Sequence, residues 1–497
     1  MKLLYYPPRI DDEFGAEQDP QGSAQVFEVP GGHSLIVRGE AGTGKTTMAL
    51  QTIEELRSVE KCFYHSTRVS DRSLMAQFSW LEELMRTERS DSRSLAEKRA
   101  PGRHGLSDLK GIADGMSSLS RGGKLAITVG RELGELEELY RKIERELPSR
   151  SLVAIDSINA MADMYGLTTA HLLSTLQRDI VEGYGSNVLF VVERSSPELD
   201  YLVDGVIDLG RSEFNRRRLR EMEILKLRGC EILQPRYIFT LSGGRIQTFG
   251  YPRWESVEDT PAPWKAIPDS SGITSTGLLD LDAMIGGLDK GSVTLIQLGA
   301  GVPGSVSGLV EASLVSNFAA LGRGVVWVPT RKASAESARA RVTPSITGER
   351  FDLCVRIPEK VQQLNHSDAP YVLPVEGDSA LLDFKWQNLE YSLYGTERPL
   401  LVLMGLDTMQ SMYGDDIDEQ LMDLLAMVRR NQGIFVALAP ISTTTGGRLG
   451  DIATTRLRMD RMGGTVLMYG EEPFTECFTW HFEPREAGGG ASLTPIV

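Results

Sequence analysis

The chain has 497 residues, of which 41% are hydrophobic and 24% are charged, and its formal net charge is −15 at pH 7. This length exceeds what one hydrophobic core serves, so we expect two or three domains. The sequence has no apolar run of membrane-spanning length and no signal-peptide core at its start, and its acidity disfavours general adhesion to nucleic acid, so we expect a cytoplasmic protein.

A glycine-rich octet, Gly39–Thr46, fits the phosphate-binding pattern G-x-x-x-x-G-K-[ST] at every position. The apolar run Ser34–Val37 precedes it and a helix-spaced apolar pattern follows it, which is the strand–loop–helix context of this motif. Glycines let the backbone approach phosphates, and the amides at the helix N-terminus then point at the anion. We therefore predict an ATP site formed by Gly39, Glu40, Ala41, Gly42, Thr43, Gly44, Lys45, Thr46 and Thr47.

Two positions of this site and one later carboxylate carry the predicted chemistry. Lys45 is expected to reach the β- and γ-phosphates, which makes it a candidate catalytic residue, and the Thr46 hydroxyl is expected to ligate Mg²⁺. Further along the chain, the apolar run Leu152–Ile155 ends in Asp156. A carboxylate at the end of such a strand holds the Mg²⁺ shell in P-loop proteins. We predict Thr46 and Asp156 as the metal-binding pair.

An arginine-rich segment, Arg211–Arg220, contains five arginines directly before another apolar strand. The planar fork of arginine suits phosphates and carboxylates. Three interpretations remain open, namely a docking site for a protein partner, a subunit interface facing an acidic surface, and a DNA-binding site. The overall acidity and the lack of interleaved aromatic residues make DNA the least favoured of the three.

The two halves of the chain follow one plan. Residues 160–166 and 408–414 both end in the pattern Met-x-x-Met-Tyr-Gly, and each follows an apolar strand. Strand and helix patterns alternate in both halves, which predicts an α/β fold with mainly parallel sheets flanked by helices. We therefore predict a first domain at residues 1–250 with a basic surface insertion at 86–124, a proline-bearing linker at 251–271, a second domain at 272–485, and a flexible tail at 486–497.

These motifs resemble those of the KaiC branch of the RecA-like P-loop ATPases. The resemblance rests on Gly39–Thr46, Ile155–Ser157, Leu202–Ile207 and Glu223–Gly229 in the first half, and on Ser275–Gly277 and Gly291–Ile296 in the second. Within that branch, the arginines before Glu223 are similar to those of the gas-vesicle regulator group GvpD. The resemblance implies two tandem RecA-like domains in a homo-oligomer, such as a hexameric ring, with ATP bound between subunits. It also implies that Lys226 and Arg228 reach the γ-phosphate from the neighbouring subunit as catalytic cations.

The first half departs from the family at one point. Family members commonly carry paired glutamates after the second strand, where this chain reads Ser66-Thr67-Arg68-Val69-Ser70, without a carboxylate. Glu193 follows the apolar strand Val188–Val192 on the correct edge of the sheet, so it is our candidate catalytic substitute. We expect hydrolysis to be slow or to wait for a partner.

The second half keeps the family fold but not the nucleotide residues. Its equivalent octet, residues 299–306, has Ser305 in place of the lysine and Val306 in place of the Mg²⁺ hydroxyl. Met404 stands at the position of Asp156, with Asp407 three residues further on. We expect this domain to be a scaffold or partner-binding copy that lacks Mg-ATP. KaiC phosphorylates itself in its second domain, and we expect no such activity here.

Three functions are consistent with the sequence. The leading hypothesis is an ATPase that acts as a regulator, whose nucleotide state sets assembly or partner binding. A non-hydrolysing ATP switch is the first alternative, and the missing glutamates favour it. A DNA recombination or repair accessory ATPase is the second, and it predicts salt-sensitive DNA binding.

Overall fold

The computed structural model describes residues 32–67, 71–81, 134–193, 196–250, 263–270, 272–361, 369–414, 417–443, 445–482 and 491–497. The chain divides into two compact units, one comprising Met1–Ser212 with Arg220–Thr248, the other Glu213–Leu219 with Phe249–Val497. The predicted insertion at 86–124 and residues 251–262 of the predicted linker lie outside the described residues. Within the described ranges, no helix is long and apolar enough to cross a membrane.

The first five strands of the first sheet alternate with helices along the chain, as the sequence pattern predicts, and three further strands follow them. Its strands are β1 (Ser34–Gly39), β2 (Lys61–Ser66), β3 (Ser151–Asp156), β4 (Asn187–Val192), β5 (Gly205–Phe214), β6 (Arg217–Leu227), β7 (Arg236–Thr240) and β8 (Gln247–Phe249). The helices are α1 (Lys45–Leu56), α2 (Asp71–Gln77), α3 (Gly134–Glu146), α4 (Ile158–Tyr165), α5 (Thr169–Leu176), which continues as a π-helix (Gln177–Gly183), and α6 (Pro197–Asp200).

The strand order of this sheet is β2-β3-β4-β1-β5-β6-β7-β8, and its first five strands are parallel. Alternate residues of β3 face opposite layers, so Val153 and Ile155 join one hydrophobic core while Leu152 and Ala154 join the other. Because both faces are buried, these strands are almost continuous apolar runs. The carboxyl ends of β1, β3 and β4 share one edge, which is where ligands bind in open parallel sheets.

The second sheet is built in the same way. Its strands are β9 (Val293–Leu298), β10 (Arg323–Val328), β11 (Val355–Lys360), β12 (Val372–Val375), β13 (Glu397–Gly405), β14 (Ile434–Pro440), β15 (Thr455–Met462), β16 (Thr465–Glu472), β17 (Phe478–Phe482) and β18 (Ala491–Pro495). The helices are α7 (Leu279–Ile285), α8 (Gly304–Ala320), α9 (Ala335–Val342), α10 (Gly348–Cys354), α11 (Ala380–Asp383), α12 (Trp386–Ser392), α13 (Leu406–Tyr413), α14 (Ile417–Arg430) and α15 (Thr445–Ile452).

The strand order of the second sheet repeats that of the first. The order is β12-β11-β10-β13-β14-β9-β15-β16-β17-β18, so the central run β10-β13-β14-β9-β15 matches β2-β3-β4-β1-β5. A hydrophobic core lies on each face of this sheet as well. The predicted fold class, two tandem RecA-like α/β domains with mainly parallel sheets, is confirmed.

The end of the chain differs from the predicted flexible tail. Ala491–Pro495 form β18, which pairs antiparallel with β17 from Phe482↔Ala491 to Phe478↔Pro495. The segment alternates apolar and polar residues, and Ala491 and Leu493 are buried. This period of two is typical of a half-buried strand, and the preceding glycines obscured it. Residues 486–490 of the predicted tail lie outside the described residues.

Candidate nucleotide-binding site

The predicted phosphate loop joins the end of β1 to the start of α1. β1 ends at Gly39 and α1 begins at Lys45. Gly39 has a φ of +146°, and a Cβ atom at this position would lie 2.1 Å from the carbonyl oxygen of Leu209 on β5. Only glycine accommodates that close approach. The loop therefore has glycine where the backbone requires it, and it lies between a strand and a helix, as the motif demands.

The side chain of Lys45 lies across the phosphate loop. Its Nζ atom donates to the carbonyl oxygens of Gly39 at 2.7 Å and Glu40 at 2.8 Å, and the residue is 9% exposed. The hydroxyl of Thr43 also donates to the Glu40 carbonyl, at 2.9 Å. The ammonium group is thus held at the mouth of the loop, beside the amides at the start of α1, where a phosphate chain would bind.

The predicted metal pair is in direct contact. The Oγ1 atom of Thr46 donates to Oδ2 of Asp156 at 2.6 Å. The two groups come from α1 and from the end of β3, which the sheet order brings to one edge. A hydroxyl and a carboxylate oxygen fit Mg²⁺, which takes one or two protein ligands and completes its shell with phosphate and water oxygens. The donor set of this site therefore suits the predicted ion.

Tyr64 belongs to this site, although the sequence did not single it out. Its hydroxyl donates to the same Asp156 oxygen at 2.8 Å. Burial, and then the neighbouring Asp156 charge, raise the pKa of Tyr64 far above its usual value, so the phenol remains a donor. The signal for this role is positional, because Tyr64 lies on β2, the strand that pairs with β3.

A threonine occupies the place of the family's glutamate pair. The Oγ1 atom of Thr67 accepts from the backbone N–H of Ser157 at 3.0 Å and donates to the carbonyl of Asp156 at 3.2 Å. Thr67 thereby fixes the end of β3. Arg68, Val69 and Ser70 of this segment lie outside the described residues.

Glu193 follows β4 at the predicted edge. Val192 pairs with Arg38 and Val191 pairs with Asp156, so Glu193 comes directly after two strand positions that flank the site. Its backbone N–H donates to Oδ1 of Asn159 at 2.8 Å. These contacts bring its backbone, Lys45, Thr46 and Asp156 to one edge of the sheet.

The structure does not bring Lys226 and Arg228 to this edge within one chain. They lie at the end of β6, where Lys226 Nζ donates to the carbonyls of Asp200 at 2.8 Å and Val203 at 2.6 Å. Arg228 Nη1 contacts Oδ1 of Asp204 at 3.1 Å. Gly205, beside this end of β6, pairs with Leu35 near the start of β1, whereas the loop follows the end of β1.

The arginine-rich segment is partly internal, which the sequence did not indicate. Arg211 and Arg220 both donate to the carbonyl of Gly42 in the phosphate loop, at 2.5 and 3.1 Å. Arg217 is 3% exposed, and within the second unit its Nε donates to the Thr475 carbonyl at 2.6 Å. The segment folds into β5, a turn and β6, so neighbouring arginines point in different directions. Arg216 and Arg218 remain exposed.

At the equivalent loop of the second unit, apolar side chains and an arginine take the place of the nucleotide-binding groups. Val306 and Met404, which replace the hydroxyl and the carboxylate of the metal pair, are fully buried in the hydrophobic cores. Oδ2 of Asp407 accepts the backbone N–H of Arg331 at 2.7 Å, and Arg331 Nη2 donates to the Val302 carbonyl at 2.8 Å. Asp407 therefore contacts the arginine that lies against this loop.

Comparison with known proteins agrees with the geometry of the first unit. The family model described as "GvpD gas vesicle protein, P-loop domain" matches residues 23–227. Protein GvpD2 of Halobacterium salinarum is 25% identical, over 95% of this chain and 94% of its own length. Protein GvpD1 of the same organism is 23% identical, over 99% of both chains. The circadian clock oscillator protein KaiC of Acaryochloris marina is 23% identical over 58% of this chain and 51% of its own length.

The fold, the phosphate loop and these similarities fit a P-loop protein of the KaiC-like branch of the RecA superfamily. Within that branch they fit a GvpD-like assignment, because the similarity to the GvpD proteins includes the loop and extends over nearly the whole chain.

Proposed function

We propose that this chain is an ATP-dependent regulatory protein that binds one Mg-ATP in its first unit. The observation that carries the proposal is the contact between Thr46 and Asp156 beside the loop that Lys45 spans. Bound Mg²⁺ would neutralise charge on the β- and γ-phosphates, with Thr46 and Asp156 as its protein ligands. Because the full-length relatives carry the GvpD name, we propose gas-vesicle formation as the regulated process.

Slow hydrolysis is part of this proposal. Thr67 stands where the family places its water-activating glutamates, and its hydroxyl is committed to the backbone at the end of β3. Glu193 is the carboxylate that we assign to the attacking water, because it follows β4 at the same edge as Asp156. A non-hydrolysing ATP switch is the second candidate, and the same threonine favours it.

The test is steady-state ATP turnover with parallel equilibrium binding of ATP in the presence of Mg²⁺. Lys45→Ala should abolish turnover and weaken binding at least tenfold, because it removes the cation of the loop. Ser305→Ala, at the equivalent position of the second loop, is the matched control and should change neither. Loss of activity in both variants, or in neither, would contradict the assignment of the site.

Glu193→Gln separates the two candidates. An ATPase that relies on this carboxylate should keep its ATP affinity and lose turnover in the variant. Tight ATP binding by the wild type without turnover, unchanged in Glu193→Gln, would instead support the switch.

A further inference from the structure

Two arginines hold the apex of the phosphate loop. Gly42 is the fourth residue of the octet, and its carbonyl oxygen accepts from Arg211 Nη2 at 2.5 Å and from Arg220 Nη1 at 3.1 Å. A carbonyl oxygen has two lone pairs, so one oxygen accommodates both donors. Arg220 is 8% exposed, which makes its position a feature of the folded interior rather than of a mobile surface.

The sheet explains why arginines of β5 and β6 reach the loop. β5 lies beside β1, with Leu209 opposite Gly39, so Arg211 comes two residues beyond the point where β1 becomes the loop. β6 is the next strand of the sheet, and it carries Arg220. The spacing of these arginines in the sequence therefore reflects two neighbouring strands at the site edge.

The contact controls the direction of one loop peptide. In a trans peptide the C=O and the following N–H point in opposite directions. With the Gly42 oxygen held on the arginine side, the N–H of Thr43 points to the other side, where it meets the Glu40 carbonyl at 3.4 Å. Amides directed to that side are the groups with which such a loop binds phosphate.

The second unit holds the equivalent carbonyl in the same way from a different element. Val302 is the fourth residue of its octet, and its carbonyl accepts from Arg331 Nη2 at 2.8 Å. Arg331 follows β10, not the β15–β16 hairpin that corresponds to β5–β6. The same peptide is thus fixed by arginine in both units although the source of the arginine differs.

We propose that Arg211 and Arg220 are positioning residues of the nucleotide site, which fix the Gly42–Thr43 peptide so that the loop amides face the phosphates. They act through the loop rather than on the phosphates. The inference deepens the proposed function, and its test by ATP affinity rests on that proposed function. It also assigns part of the arginine-rich segment to the nucleotide site in the same chain rather than to a docking surface.

The experiment compares Arg211→Ala/Arg220→Ala with the wild type by amide hydrogen exchange of the 39–46 segment and by Mg-ATP affinity. We expect faster exchange in the loop and an affinity about tenfold lower, the size of effect of a lost charge-assisted hydrogen bond. Arg211→Lys/Arg220→Lys, which keeps donors of positive charge, should recover part of both. Arg218→Ala, an exposed arginine of the same segment, is the matched control and should leave both unchanged.

Exchange and affinity that match the wild type in the double alanine variant would overturn the proposal. Equal effects in Arg218→Ala would also overturn it, since they would reflect the general charge of the segment. If the double variant fails to fold, Arg211→Ala alone decides, because Arg211 is exposed and donates to the same carbonyl. If the wild type binds no ATP, the proposed function fails, and the exchange arm still decides whether the two arginines fix the loop.

Discussion

One carboxylate oxygen organises the candidate metal site. Oδ2 of Asp156 accepts from Thr46 at 2.6 Å and from Tyr64 at 2.8 Å. Hydrogen bonds to an ionised carboxylate are stronger than neutral ones, and groups that orient a metal ligand tune the affinity for the metal. Tyr64 therefore sets the orientation of the carboxylate without being a ligand itself.

Replacement of Tyr64 by phenylalanine tests this role of the hydroxyl. The variant keeps the ring and removes the hydroxyl, so the Mg²⁺ concentration for half-maximal ATP binding should rise roughly tenfold. Tyr184→Phe is the matched control, because the Tyr184 hydroxyl donates to Glu144 at 2.9 Å in the same unit. Titration of ATP binding with Mg²⁺ measures the effect, and an identical Mg²⁺ requirement in Tyr64→Phe and wild type would contradict it.

A buried glutamate in the second unit should make the stability of the protein depend on pH. Glu311 on α8 is fully buried, and burial raises its pKa to about 7, against the opposing effects of the Thr330 backbone N–H and of Arg341. Since the folded state binds this proton more tightly than the unfolded state does, stability falls as pH rises from the unfolded pKa, 4.5, through about 7. The change amounts to roughly 3 kcal/mol.

Glu311→Gln should remove this loss. The free energy of unfolding of the variant, relative to that of the wild type, should therefore be higher at pH 8 than at pH 5. Urea unfolding of both proteins at the two pH values measures this difference. Glu336→Gln, an exposed change on α9, should follow the wild-type profile. A wild type whose stability relative to Glu311→Gln stays constant across this range would contradict the raised pKa.

At the scale of elements, the sequence predicted those features that depend on local pattern. The phosphate loop, β3 with Asp156, and the α/β alternation follow from apolar runs buried on both faces and from a motif with fixed spacing. Tyr64, Arg211 and Arg220 could not be found in this way, because their partners are 92, 169 and 178 residues away in the sequence. Their roles depend on which strands become neighbours, and that is set by the whole sheet.

The cations at the end of β6 are predicted to act on the nucleotide of a neighbouring subunit. Lys226 and Arg228 are far from the loop of their own chain, so their proposed catalytic role requires a neighbouring subunit. If that holds, Lys45→Ala and Arg228→Ala should each be inactive. An equal mixture of the two should recover about a quarter of wild-type turnover, because random assembly pairs an intact loop with an intact arginine at that frequency. Turnover in the mixture that stays at the level of the separate variants would contradict action between subunits.

At the scale of the whole molecule, one fold appears twice with different contents. The strand order of the first sheet recurs in the second. In the first unit the octet ends in Lys45 and Thr46, and Asp156 contacts Thr46. In the second, Val306 and Met404 are buried apolar residues, and Arg331 lies against the loop. We therefore propose that the first unit alone binds nucleotide and that the second is a scaffold or partner-binding domain.

The number of nucleotides bound per chain tests this claim most directly. Equilibrium dialysis of the full chain against ATP and Mg²⁺ should saturate at one ATP per chain. Lys45→Ala should lower the affinity of that single site, and Ser305→Ala should leave it unchanged. Saturation at two ATP per chain, or a site that survives Lys45→Ala and is lost in Ser305→Ala, would contradict the account.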